Sequence, residues 1–293
     1  MSVYRPHDHL IAPARASAAL WRLGLGVVLI VVAFFTLNVI WYGFLRDMPD
    51  AAALFTEIAV GNTARGMALL LGSFACLIVA LMIALQVVHR RSLVSLVGPM
   101  HAFAVQSWRV FRACLLLYVV IYLIPMPAAL APEQAMPLGR WLTLVPLTLA
   151  LLILQCGAEE LVFRGYLQSQ LAARFRAPWI WMGLPSLLFG ALHYEPAVYG
   201  DVAIWLALWS GLFGLAAADL TARSGTLGPA IALHVVNNFS AMGLTAMHGH
   251  WDGLALYTLP ITPEDTDALM QLMPLEGAIL ICAWLAARIA VRR

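Results

Sequence analysis

The chain has 293 residues and contains no lysine, and only 11% of its residues are charged. Soluble globular domains average about 25% charged residues, so this composition excludes an ordinary soluble domain. The basic side chains are all arginines, and the acidic side chains nearly balance them to a net charge of +2. This balance excludes the strongly basic surface that is typical of nucleic-acid-binding proteins.

Cysteine is scarce as well, with four residues in the whole chain. All four fall in or at the edge of apolar runs and none forms a CxxC pair: Cys76, Cys114, Cys156 and Cys282. This distribution predicts free cysteines that pack as small apolar side chains.

Apolar residues dominate instead, at 62% of the chain and a mean hydropathy of +0.86. Runs of about 20 apolar residues, the length that a helix needs to cross a bilayer, recur from end to end. Eight can be drawn, at 20–45, 66–88, 111–130, 141–158, 179–197, 202–222, 226–246 and 273–290. The sequence therefore predicts an all-α polytopic integral membrane protein, with residues 1–293 in a single domain.

The distribution of charge predicts the orientation. Arg5 and Arg15 precede the first run and Arg22 lies at its start, whereas acidic residues follow it, so the positive-inside rule places the N-terminus in the cytoplasm. Eight spans then place the C-terminus there too. With no organelle-targeting segment evident, we expect a bacterial inner membrane. Residues 91–109 are expected to be an interfacial segment, and residues 247–272 an outer, solvated loop rather than a lid.

Two adjacent carboxylates and an arginine lie at the end of the fourth run, within Cys-Gly-Ala-Glu-Glu-Leu-Val-Phe-Arg-Gly-Tyr at 156–166. An ionisable residue in a membrane segment is by default a functional-site hypothesis. Glu160 and Arg164 are four apart with the acid first, which favours an ion pair on one helix face. Glu159 points about 100° away and is expected to lack a local counter-charge.

Two further pairs repeat the spacing of four. Phe189 and His193 lie in the fifth run, and His234 and Asn238 in the seventh, so each pair shares a helix face. For Asn238, the neighbouring Asn237 is an open alternative. The predicted runs place Glu159 near the cytoplasmic edge and His193 towards the outer one, so a common site requires that some of these boundaries be shifted.

If the residues of these three pairs come together in the fold, they can form a hydrolytic site. Glu159 would deprotonate a water molecule, while His193, His234 and the amide of Asn238 orient the water and stabilise an oxyanion at a peptide carbonyl. Individually, each histidine or amide has the simpler interpretation of a hydrogen bond between helices.

The three motifs together resemble the CPBP family, the CAAX proteases and bacteriocin-processing enzymes, also called the Abi family. The matching stretches are EExxxR at 159–164, FxxxH at 189–193 and HxxxN at 234–238, in that order, within a core of about 140–245. The resemblance implies an eight-helix, glutamate-dependent intramembrane endopeptidase. In it, Glu159, His193, His234 and Asn238 would be catalytic, and Glu160, Arg164 and Phe189 supporting.

Cofactor and role stay open at this point. We expect no metal, although a glutamate and two histidines are a recognised zinc set, so metal assistance is an alternative. The expected partners are the lipid bilayer and a peptide or protein substrate, which membrane anchoring or lipidation would bring to the site; no nucleic-acid partner is expected. The alternatives to proteolysis are a scaffold or immunity factor with the same site, and an ion-coupled transporter. The inverted repeats that a transporter would show are not evident in the sequence.

Overall fold

In a computed structural model, which describes residues 3–292, the chain is built almost entirely of helices. The helices are α1 Asp8–Ile11, α2 Leu20–Arg46, α3 Ala51–Val60, α4 Ala64–Gly72, α5 Phe74–Ala84, α6 Met100–Tyr122, α7 Leu138–Glu160, α8 Gln168–Arg174, α9 Leu184–Leu192, α10 Pro196–Tyr199, α11 Ala203–Ser224, α12 Gly228–Asn238 and α13 Thr266–Arg292. Wider π turns follow or precede several of them, at Leu85–His89, Leu161–Leu167, Trp179–Gly183 and Phe239–Leu244. The all-α membrane fold is thus confirmed.

Six helical stretches of the described chain are long and apolar enough to cross a membrane. They are Leu20–Arg46, Ala64–His89, Met100–Tyr122, Leu138–Arg174, Pro196–Ser224 and Thr266–Arg292. The predicted fifth span is the shorter helix Trp179–Leu192, and the predicted seventh is helical from residue 228 to residue 244. The count of eight spans and the orientation of the termini therefore stay predictions.

Several predicted boundaries were wrong. The helix of the third span runs from Met100 to Tyr122 and not from 111 to 130, so residues 100–109 are helical, and their interfacial position stays a prediction. The helix of the fourth span continues past residue 158, the limit of its apolar run, because the π turn at Leu161–Leu167 carries α7 directly into α8. The fifth ends at Leu192, before the predicted limit of 197.

These shifts bring two motifs to the same depth. Glu159 lies 15 positions before Arg174, the end of α8, and His193 lies 14 positions after Trp179, where the next helix begins. At 1.5 Å per residue these stretches are about 22 Å and about 21 Å long. Because the short turn at residues 175–178 joins the two helices, both motifs lie at a similar height above it. The predicted separation of Glu159 from His193 was therefore wrong.

The main hydrophobic core surrounds the motif helix. It includes Leu81, Tyr166, Phe213, Leu220 and Leu233, each at most 2% exposed. These side chains come from α5, the π turn after α7, α11 and α12, so the site is enclosed by at least four elements.

The segment 247–272 is folded and not a solvated connection. Its strand β3 (Tyr257–Leu259) pairs antiparallel with β1 (Glu133–Gln134) and parallel with β2 (Thr245–Met247). The amides of Trp251 and Gly253 donate to the carbonyls of Val60 and Gly61 at 3.0 Å. These bonds fix the segment against the connection between α3 and α4. All four cysteines are free, in agreement with the prediction.

Candidate active site

The two carboxylates of the first motif lie at the last residues of α7, immediately before the π turn. π turns inside longer helices occur frequently at functional sites. The predicted ion pair forms: Arg164 Nη1 donates to Glu160 Oε1 at 3.0 Å, and both side chains are at most 1% exposed. The Glu160–Arg164 pair is thus completely removed from solvent within the protein.

His234 connects this pair to the second carboxylate. Its Nδ1 lies 2.8 Å from Glu160 Oε1, and its Nε2 lies 3.6 Å from Glu159 Oε2. A carboxylate only accepts hydrogen bonds, so Nδ1 carries the proton that is donated to Glu160, and Nε2 faces Glu159. Glu159 therefore does have a nearby ionisable group, which the spacing within its own helix could not reveal.

His193 joins the cluster through Phe189. The carbonyl of Phe189 lies 2.8 Å from His193 Nδ1, and because a carbonyl only accepts, Nδ1 is the donor. The Phe189 ring centroid is 4.5 Å from that of His193 and 6.0 Å from that of His234. Arg164 Cζ lies 4.5 Å from the same centroid, in cation–π contact. The Phe189 ring thus contacts the Arg164 guanidinium and also packs near the rings of His193 and His234.

Asn238 faces the motif helix, and Asn237 does not. Asn238 Nδ2 donates to Gln155 Oε1 of α7 at 3.0 Å, whereas Asn237 Oδ1 accepts from Tyr118 of α6 at 2.9 Å. The two amides are linked by a bond of 3.3 Å from Asn237 Nδ2 to Asn238 Oδ1. The alternative assignment of Asn237 to the site is therefore not supported by the geometry.

Gln155 is a member of the site that sequence reasoning missed. It is 7% exposed and lies one helical turn before Glu159, and it also accepts from the Cys156 thiol at 3.2 Å. The sequence signal that could have identified Gln155 is an amide side chain within an otherwise apolar run, on the same helix face as Glu159.

Three polar atoms in this cluster are buried without a hydrogen-bond partner in the described residues: Glu159 Oε2, Glu160 Oε2 and Arg164 Nη2. A buried polar group that makes no hydrogen bond costs about 1–3 kcal/mol. Catalytic sites are one place where such unpaired groups occur, and here all three belong to the six residues from Glu159 to Arg164.

Glycines allow the helices to approach closely enough to bury these charges. A Cβ atom at Gly214 of α11 would lie 3.1 Å from Arg164 Nη2 and 3.0 Å from Ser186 Cβ. A Cβ atom at Gly190 would lie 2.5 Å from the carbonyl oxygen of Ala207. Larger residues at Gly190 or Gly214 would separate α9 from α11 and displace the arginine.

Within residues 3–292, no group of three or more His, Cys, Asp or Glu side chains is arranged to hold a metal ion. The chemistry of Glu159, His193 and His234 suits zinc, but the wider arrangement is a chain of hydrogen bonds rather than a set of converging ligands. The expectation that the protein uses no metal therefore stays a prediction.

Comparisons with known proteins agree with the motifs. Residues 141–240 match the family described as "Type II CAAX prenyl endopeptidase Rce1-like", a stretch that contains all three motifs. The chain is also 28% identical over 123 residues to the uncharacterized protein YyaK of Bacillus subtilis (strain 168). That alignment covers 41% of this chain and 41% of the relative. No solved structure matches the chain.

Proposed function

We propose that this multi-pass membrane protein is an intramembrane endopeptidase, because residues 141–240 match the Rce1-like family of type II CAAX prenyl endopeptidases. It hydrolyses a peptide bond with a water molecule that Glu159 activates. The observation that carries the proposal is the bridging position of His234, 2.8 Å from Glu160 and 3.6 Å from Glu159. Packing alone does not require two carboxylates at one buried imidazole.

Glu159 is the proposed general base. Its carboxylate is the one that has no salt bridge to arginine, and its side chain is 12% exposed, against 0% for Glu160. A carboxylate with this access can take a proton from water while the water oxygen attacks the carbonyl carbon of the substrate. The same group then gives the proton to the leaving amine as the C–N bond breaks.

His234 is proposed to orient that water. His234 acts in this mechanism in its neutral form, in which Nδ1 donates to Glu160 and Nε2 presents a lone pair towards Glu159. A water held between Nε2 and the carboxylate has one proton directed at each acceptor, which leaves an oxygen lone pair for the attack. Glu160 and Arg164 support this step by fixing the ring in one tautomer.

The amide of Asn238 is proposed to stabilise the oxyanion. One of its two N–H groups is donated to Gln155, and the other is left for the oxygen that becomes negative. A donor placed in this way in a site that excludes water is worth about 2.7–4 kcal/mol in the transition state. His193 Nδ1 donates to the Phe189 carbonyl, so its Nε2 is the atom that would help to position water or substrate.

The proposed substrate is a peptide or protein segment that the membrane brings to the site, by an anchor or a lipid group. The matched family is described as a type II CAAX prenyl endopeptidase, but the proposed chemistry of Glu159, His234 and Asn238 does not itself require a prenyl group on the substrate. We propose the inner membrane of a bacterium as its location.

The test is a comparison of protein N-termini in membranes and secreted fractions from cells that express either the wild-type chain or Glu159→Gln at equal levels. The glutamine keeps the shape and removes the base. Glu264→Gln is the matched control, since Glu264 lies in the segment between β3 and α13, away from the site. Termini that are present with the wild type and Glu264→Gln and missing with Glu159→Gln are expected, and they identify the substrate.

Identical termini in all three strains, with all three proteins folded, would contradict proteolysis. They would favour a scaffold or immunity factor if the biological phenotype also survived Glu159→Gln. A phenotype lost without any change in termini would favour ion-coupled transport instead.

A further inference from the structure

An open cleft lies at the other end of the motif helix, far from the carboxylates. It has a volume of about 540 Å³ and is formed where the N-terminal segment packs against the turn between α8 and the helix Trp179–Leu192. Its lining includes Arg5, His7, Phe175, Arg176 and Trp181. This is the end of the fold that the charge distribution assigns to the cytoplasm.

The inner wall of the cleft carries a hydrogen-bond donor without a partner. His7 is 1% exposed, and its Nδ1 makes no hydrogen bond within the described residues. Gln168 Nε2 donates to the carbonyl of Ala218 at 3.2 Å and lies 3.4 Å from His7 Nε2. His7 Nε2 therefore accepts, and the proton of the neutral ring is on Nδ1.

The protonation state of His7 agrees with this assignment. Burial lowers the pKa of His7 to about 4, against a smaller opposite effect of Asp8, so the ring is neutral at pH 7. A buried N–H group that lacks an acceptor costs about 1–3 kcal/mol, which an acceptor entering the cleft would remove.

The charge at the rim favours an anion as that acceptor. Arg176 is exposed and makes no ion pair within residues 3–292, and Arg5 adds a second positive charge to the lining. The one acidic residue of the lining, Asp8, is paired with Arg15 at 2.9 Å. Guanidinium groups bind phosphate through parallel hydrogen bonds.

The remaining wall is apolar and favours a lipid over a free ion. Phe175, Pro178 and Trp181 line the cleft, and the Trp181 ring packs against His7 at a tilt of 41°, with ring centroids 4.9 Å apart. The neighbouring Trp179 is 75% exposed, and tryptophan is enriched at the level of lipid headgroups.

We propose that this cleft binds the phosphate group of an anionic phospholipid, with Arg176 and Arg5 on the phosphate and the His7 Nδ1–H group as a buried donor. The site is separate from the carboxylate cluster, and its existence does not depend on the proposed proteolysis. Free inorganic phosphate offers the same chemistry without the acyl chains, and the test distinguishes the two.

The test uses native mass spectrometry of the full-length protein in detergent, titrated with dioctanoyl phosphatidylglycerol, dioctanoyl phosphatidylcholine or inorganic phosphate. Arg176→Gln is expected to weaken phosphatidylglycerol binding about tenfold, the usual effect of losing one charge-assisted hydrogen bond. Arg174→Gln is the matched control: Arg174 is an equally exposed arginine two positions away and outside the cleft. It should bind like the wild type, as should Glu159→Gln.

His7→Phe sharpens the result, since it keeps an aromatic ring against Trp181 and removes the donor. Its thermal unfolding midpoint without lipid reports whether the fold survives, and weaker binding at an unchanged midpoint is expected. Inorganic phosphate binding with the same dependence on Arg176 would support the site and make the ligand a soluble phosphate compound. Equal losses in Arg174→Gln and Arg176→Gln, or no preference for phosphatidylglycerol over phosphatidylcholine together with no phosphate binding, would overturn the proposal.

Discussion

Two ion pairs in this protein, one fully buried and one partly buried, have the same local sequence pattern and very different surroundings. Glu160–Arg164 and Asp219–Arg223 each place an acid four residues before an arginine on one helix. Asp219 also accepts hydrogen bonds from Tyr4 at 2.9 Å and from Trp284 at 3.1 Å. Every oxygen of Asp219 is therefore satisfied, and the cluster fastens the N-terminal segment and α13 to α11.

The cluster around Glu160 is satisfied only in part. Glu160 shares one oxygen between Arg164 and His234, while its other oxygen and Arg164 Nη2 lack partners in the described chain. A second carboxylate, Glu159, lies across the same imidazole. This difference supports the proposal that the Asp219 cluster is structural and that the Glu159–Glu160 cluster is catalytic. The following substitutions test this distinction, from the largest expected effect to the smallest.

Glu159→Gln should have the largest effect on activity. Loss of a general base lowers hydrolysis by about 10²–10⁴-fold, while the thermal unfolding midpoint should stay at the wild-type value, since Glu159 makes no ion pair with arginine. The measurement is the rate at which the wild-type-dependent N-termini appear. A folded Glu159→Gln protein with full activity would remove Glu159 from the mechanism.

Glu160→Gln should damage both stability and activity. It leaves Arg164 buried without its ion-pair partner, which typically costs about 3–5 kcal/mol, and it replaces the charged acceptor of the His234 hydrogen bond by a neutral amide that can also turn its NH₂ group towards the ring. Unfolding in detergent and cleavage are measured together. The double substitution Glu160→Leu with Arg164→Leu is the control: it should recover stability, because no charge is left unpaired, without recovering cleavage.

Gln155→Met should have an intermediate effect that is confined to catalysis. It keeps the volume of the side chain and removes the acceptor that holds the Asn238 amide, so we expect kcat to fall about tenfold, less than the loss of a direct oxyanion donor, with KM unchanged. A change in KM alone would indicate that Gln155 contacts substrate and does not position Asn238.

Asp219→Asn should have the smallest effect on activity. The amide can retain the hydrogen bond from Tyr4 but loses the charge that Arg223 and Arg288 face, so the protein should lose about 1–3 kcal/mol of stability and cleave at the wild-type rate. A loss of cleavage greater than the loss of folded protein would show that the two clusters are coupled.

The membrane fold and the residues of the three motifs follow from the sequence, because apolar runs and spacings of four are local properties. The depth of the site within the fold does not follow from the sequence. Gln168, Ser169 and Gln170 resemble the polar edge of a membrane, but they are at most 2% exposed, and Gln170 Nε2 lies 2.9 Å from His89 Nδ1. The motif helix therefore continues where hydropathy predicted its end.

Contacts between segments that are distant along the chain could not be predicted from the sequence either. The bridge from His234 to both carboxylates spans 74 positions in the case of Glu160, and the bond from Asn238 to Gln155 spans 83. The segment 247–272 was expected to be solvated because of its polar residues, yet Leu254 and Ala255 are completely buried. In each case packing between elements determines the result, and no pattern within one element encodes it.

The most direct test of the central distinction is a paired measurement on Glu159→Gln and Asp219→Asn. Both remove one carboxylate charge, and for each we would measure the cleavage rate of the substrate that the N-terminal comparison identifies and the thermal unfolding midpoint in detergent. We predict that Glu159→Gln is stable and inactive, and that Asp219→Asn is less stable and active per folded molecule. If instead both variants lost activity only in proportion to lost folded protein, Glu159 would be a structural residue like Asp219, and the proposed mechanism would be wrong.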